Sequence, residues 1–112
     1  MADPFTMYQE QVETITEECT DPWFRKQLAA CRAGDEAAYR RISERCLRLV
    51  LQITKRRWKP GTRWALLDLV QEANAEMVQT IGQFSGETAE EFLAEVAGRV
   101  EQRLARLLEQ PE

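Results

Sequence analysis

The residues of this chain best placed to do chemistry fall in one short run: Asp68, Gln71, Glu72 and Asn74. Steps of three and four connect Asp68 with Gln71 and Glu72, so a helix gathers them on one side, away from Val70, Ala73 and Met77. Carboxylates and amides in a row, with no basic neighbour in sequence, can accept Arg side chains from another protein. The same row also fits an ordinary wet helix surface. Either way it holds no general acid marked out with its partner. The chain has no histidine, which removes the commonest general base and most zinc sites. Its three cysteines, Cys19, Cys31 and Cys46, form no C-x-x-C pair and read as reduced thiols. Cys46 lies on an apolar stripe and reads as core rather than nucleophile. There is no Gly-rich phosphate loop and no G-x-S-x-G elbow. The expectation is a binding protein, not an enzyme, without metal or cofactor.

Charge is distributed in blocks. Residues 1–24 carry six acids and no base, and residues 25–63 carry twelve bases against three acids. Residues 64–98 carry seven acids and no base, and the last fourteen residues are balanced. The net charge of −4 hides this pattern. Two explanations stand open: the blocks pair with one another across a bundle, or the basic middle meets an external anion. No apolar run is long enough to span a bilayer and the N-terminus is acidic and polar, so a cytoplasmic protein is expected.

The elements that must position these residues are helices. Ala, Leu, Glu, Arg and Gln dominate, and they lose little on entering a helix. The spacing of Phe5, Tyr8, Val12, Ile15 and Cys19 predicts a first helix over Pro4–Glu18. Asp21 as N-cap and Pro22 at the first helical position start a second, which Gly34 stops. Asp35 caps a third, through Trp58, with Tyr39, Ile42, Cys46, Leu49, Val50 and Ile53 inward. A fourth runs from Thr62 or Arg63 to about Ile81. Leu66, Val70, Ala73, Met77 and Ile81 face its core side, widened by Leu67, Leu69 and Val78. Phe84 is placed to plug the core. Thr88 and Glu91 form a capping box for a fifth helix reaching near Gln110. Short connections imply a compact all-α bundle of about five helices. The first helix either completes the bundle, mediates dimerisation or mimics an inhibitory segment.

Several of these segments, in order, resemble region 2 of bacterial RNA polymerase sigma factors. They are Arg48-Leu-Val-Leu-Gln-Ile-Thr-Lys-Arg-Arg57, Leu67-Asp-Leu-Val-Gln-Glu-Ala-Asn74, Phe84-Ser-Gly86 and Phe92-Leu-Ala-Glu-Val-Ala97. Upstream, Ala33-Gly-Asp-Glu-Ala-Ala-Tyr39 is similar to the start of that region in the extracytoplasmic-function group. The resemblance implies a sigma region 2-like helical domain over residues 30–110, preceded by a helical extension over residues 1–29. It implies docking on the clamp helices of core RNA polymerase through Asp68, Gln71, Glu72 and Asn74, and a part in transcription initiation. It also implies promoter DNA contacts through Arg48, Lys55, Arg56 and Arg57, and through Phe92, Arg99 and Arg103 on the last helix. In the family that helix reads the −10 element with aromatic and basic side chains, because unstacked bases need aromatic platforms and phosphates need cations. Here Phe92 is its only aromatic, and Glu90, Glu91 and Glu95 repel phosphate. No counterpart of the −35-reading region follows before Glu112. The chain then reads as one domain of a longer protein, or as a free-standing sigma-like protein with weakened −10 reading. An anti-sigma protein or a separate region-4 protein would be a further partner. The alternatives are a sigma-like adaptor without DNA binding, or a plain helical interaction module.

Overall fold

The apolar stripes resolve into five α-helices and, among the described residues, no strand; the computed structural model describes residues 3–109. The helices are α1 (Pro4–Glu13), α2 (Asp21–Arg32), α3 (Glu36–Arg57), α4 (Leu66–Gln83) and α5 (Ala89–Glu109). The expected end of the last helix near Gln110 and the charged terminus beyond it lie outside the described residues. No helix among the described residues is long and apolar enough to cross a membrane.

Helix α3 is the hub and packs against each of the other four. Its Ile42, Cys46, Val50 and Ile53 meet Leu69, Ala73 and Met77 of α4 and Phe92, Val96, Val100 and Leu104 of α5 in one core. Phe24 and Leu28 of α2 belong to the same core. The expected division at residues 29 and 30 therefore falls inside α2. A smaller cluster, Val12, Leu51 and Val70 with Phe5, Tyr8, Leu47 and Leu66 at its rim, fastens α1 onto α3 and α4. Helix α1 thus packs on the bundle. Burial pushes the Cys46 thiol up to about 12, as a core position requires.

Local chemistry explains most boundaries and corrects some. Asp35 accepts from the Ala37 amide at 2.9 Å, and Thr88 and Glu91 bond reciprocally as a capping box. Gly34, at φ +96°, ends α2 in a Schellman motif: its amide donates to Cys31 O, and that of Asp35 to Ala30 O. Phe84 does plug the core, 8% exposed and edge-on to Phe24 and Phe92. Gly86 is required beside it, since a Cβ there would lie 2.7 Å from Phe84 Cζ.

Four expectations change. Helix α1 stops at Glu13, not Glu18. The β-branched run Thr14-Ile15-Thr16 favours helix weakly, and the Thr14 hydroxyl donates back to Gln11 O at 2.6 Å. The segment that follows is held by arginines of α3, with Arg48 donating to Glu13 O and Arg45 to Glu18 O. Asp21 is not the cap of α2: Thr20 occupies that position, and Asp21 Oδ1 accepts from the Ala89 amide, capping α5 instead. Helix α4 starts at Leu66, later than Thr62 or Arg63, because the Trp64 carbonyl accepts from the Trp58 indole and the Thr62 hydroxyl in the preceding loop. Val78, expected to widen the core stripe, is 45% exposed.

Candidate functional site

A helix turns about 100° per residue, so Asp68, Gln71 and Glu72 share one side of α4 while Asn74 lies about 120° around from Asp68. The structure follows that geometry and divides the expected row. Asp68 and Gln71 are exposed, and Glu72 is half-buried. Glu72 Oε2 accepts from Arg103 Nη2 of α5 at 3.2 Å. Asn74 lies under α1, where its Nδ2 donates to the Tyr8 hydroxyl at 2.9 Å. Its Oδ1 is buried with no hydrogen-bond partner. Exchanging the amide's two ends leaves the other atom equally unpartnered, so Asn74 carries an unmet bond in either orientation. A buried polar atom left this way costs about 1–3 kcal/mol. Tyr8 is the residue sequence reasoning missed here; it lies 66 positions away and no local pattern points to it.

The cations expected to meet nucleic acid separate in the same way. Arg48 is committed to the Glu13 carbonyl. Arg57 pairs with Glu101, and Arg103 with Glu72. Arg99 bonds Gln83 Oε1 and pairs with Glu95 at 3.4 Å. Lys55 donates only to a neutral amide, Gln9 Oε1, at 3.2 Å. Arg56 is exposed and has no partner among the described residues. The charge blocks thus pair in part across the bundle, with an uncommitted remainder on α3. These pairs are solvent-exposed, so each contributes about 0–1 kcal/mol.

Phe92 cannot serve as expected. It is fully buried, its ring stacked on Phe24 with centroids 4.8 Å apart and set edge-on to Phe84 at 5.3 Å. A base platform must present a ring face to solvent. The three phenylalanines join α2, the loop before α5, and α5 itself, and exposing Phe92 would open the core.

Sequence reasoning also passed over the connection between α3 and α4. Lys55-Arg-Arg-Trp-Lys-Pro-Gly-Thr-Arg-Trp64 holds five cations, two tryptophans and no acid in ten residues. Lys55, Arg56 and Arg57 were expected to contact DNA, but Trp58, Lys59, Arg63 and Trp64 beside them were given no role. No known protein-family model matches the chain.

Three carboxylates are held below their ordinary range: Asp3, by the Thr6 amide at the cap of α1, and Asp21 and Glu91, which bond the start of α5. Asp21 is held low by the Ala89 amide and then by Arg25, whose Nε lies 2.7 Å away. Glu91 is held low by the Thr88 hydroxyl and amide. The shifts come from helix capping and, for Asp21, also from the Arg25 ion pair. Among the described residues no group of three or more acidic or cysteine side chains could hold a metal ion.

Proposed function

We propose that the chain is a sigma-factor-like domain that docks on core RNA polymerase through α4 and acts in transcription initiation. The observation that carries the reading is the exposed ridge of Asp68 and Gln71, with the edge of Glu72, on a helix whose opposite side is locked into the core. Residues 64–98 hold no cation, so the ridge has no basic residue on its own helix to neutralise it. It fits a helical partner bearing Arg side chains, which bind carboxylates bidentately and amides singly. The ordered likeness of residues 48–57, 67–74, 84–86 and 92–97 to sigma region 2 supports the same partner, the clamp helices. Asn74 has a different role, receiving α1 through Tyr8.

Reading of the −10 element is weakened in this proposal. Phe92 is inside the core, and Arg99 and Arg103 are tied to the protein's own acceptors. Those observations favour a second reading, an adaptor that docks on polymerase without melting DNA. A competition assay tests docking: the chain should displace a primary sigma factor from core polymerase in a dose-dependent way, and absence of competition removes the proposal. A single-stranded −10 oligonucleotide separates the two readings. Binding that favours the −10 sequence over a scrambled one supports initiation, and no such preference supports the adaptor.

A further inference from the structure

We infer that α1 is a displaceable cover beside the docking ridge of α4, closed in the free protein and opened when the partner binds. Its placement comes first. Gln71 and Asn74 are three positions apart on α4, so they are surface neighbours about 5–6 Å apart at Cβ. A helix is about 10 Å across. A partner helix seated over Gln71 therefore meets whatever stands over Asn74. Helix α1 stands there, its Tyr8 hydroxyl accepting from Asn74 Nδ2.

Helix α1 is also attached apart from the rest. None of its residues belongs to the main core. Its apolar side chains close only the smaller cluster, where Val12 packs with Leu51 and Val70. It carries Glu10 and Glu13 and packs on the basic α3, yet no ion pair joins the two among the described residues. Its polar ties end on neutral groups. Lys55 reaches the Gln9 amide oxygen, Arg48 the Glu13 carbonyl and Asn74 the Tyr8 hydroxyl. Residues 14–20, which join α1 to α2, are not helical. Helix α1 can thus swing on that segment while α2 to α5 keep their common core.

Two opposing effects set the balance. The closed form leaves Asn74 Oδ1 buried and unmet, a defect that opening removes by admitting water or a partner's donor. Opening also bares Leu51 and Val70, which are 5% and 0% exposed when closed, and that cost keeps the cover shut in the free chain. A partner that meets Asn74 and covers the bared surface shifts the balance to the open form. The inference rests on the docking reading and supplies its regulation: apparent affinity scales with the fraction of chains that are open.

Two measurements test it. In native-state hydrogen exchange of the free chain, the α1 amides from Tyr8 to Glu13 should exchange at least about tenfold faster than those of Ile42 to Ile53. Equal protection means that α1 opens only with the whole fold, which overturns the inference. The second measurement is titration of core RNA polymerase with wild type and with Tyr8→Ala/Val12→Ala. The variant should bind at least about fivefold more tightly, because more of it is already open. All three tryptophans lie outside α1, so a native fluorescence spectrum certifies that α2 to α5 remain folded. Tyr8→Phe removes one hydroxyl and no packing; it should move affinity the same way by about threefold, and it decides the point if the double variant is not native. Adding Asp68→Lys should abolish the gain. A gain that survives it is adhesion to bared Leu51 and Val70 and overturns the inference. Equal or weaker binding of the α1 variants, with wild type bound, overturns the cover alone. No binding by any of them overturns the docking reading and the cover with it.

Discussion

Helices α4 and α5 are both amphipathic, both polar on their outer faces and both implicated in function by their sequence, yet they present different surfaces. Helix α4 leaves Asp68 and Gln71 in solvent without partners among the described residues. Helix α5 turns Phe92 into the core and directs Arg99 and Arg103 to Gln83, Glu95 and Glu72. A polar residue type is therefore a poor guide to availability. What decides is whether the fold supplies a partner across the helix boundary. Helix α5 lies beside acceptors of α4, whereas the cation-free stretch around α4 leaves its own outer ridge uncompensated.

The contrast can be broken most forcefully at Phe92. Phe92→Ala should destabilise the fold by about 3–5 kcal/mol, because it empties the centre of the Phe24–Phe84–Phe92 cluster. Urea unfolding measures this; a loss under 1 kcal/mol, within the range of surface substitutions, would mean that Phe92 is a surface residue after all.

Charge reversal on α4 has the opposite character. Asp68→Lys with Gln71→Ala should leave the urea midpoint nearly unchanged, within about 0.5 kcal/mol. A midpoint lowered well beyond that would show that the ridge is structural. Smaller again is the link between the two helices. A double-mutant cycle on Glu72→Gln and Arg103→Ala should return a coupling of about 0.2–1 kcal/mol, since both side chains are more than a third exposed. A coupling near zero would free Arg103 for an external phosphate.

The smallest effect is in acid. Asp21 and Glu91 hold the start of α5, and both carboxyls are lowered in the folded state by hydrogen bonds from Ala89 and Thr88. A lowered folded pKa contributes stability above the unfolded value, about 3.9 for Asp and 4.3 for Glu, and loses it as pH falls through the folded value. Thermal melts should thus be flat for these groups near neutrality and decline below about pH 4. In Asp21→Asn the decline should be shallower. An unchanged decline would remove Asp21 from the capping of α5.

Much of this was legible in the sequence for a physical reason. Helices are specified locally, by an apolar repeat and by caps within three or four residues. The stripe Ile42–Cys46–Val50–Ile53, the Asp35 cap, the Gly34 stop and the Thr88–Glu91 box all stand where the pattern puts them. The misses are long-range. Asp21 caps a helix 68 residues away, and Asn74 meets Tyr8 across 66. Phe92 is drawn inward by two rings from other segments, which no periodicity distinguishes from an aromatic held for a ligand. The basic connection between α3 and α4 was visible as charge. The bond that fastens it, from Trp64 to Leu107, 43 residues on, was not.

The proposed docking rests on the α4 ridge. Direct titration of core RNA polymerase with the wild-type chain and with Asp68→Lys/Gln71→Ala tests it. Wild type should bind, and the variant should bind at least about tenfold more weakly, a loss of about 1.4 kcal/mol, with an unaltered melt. Equal affinity of the two proteins, or no binding by either, would contradict it.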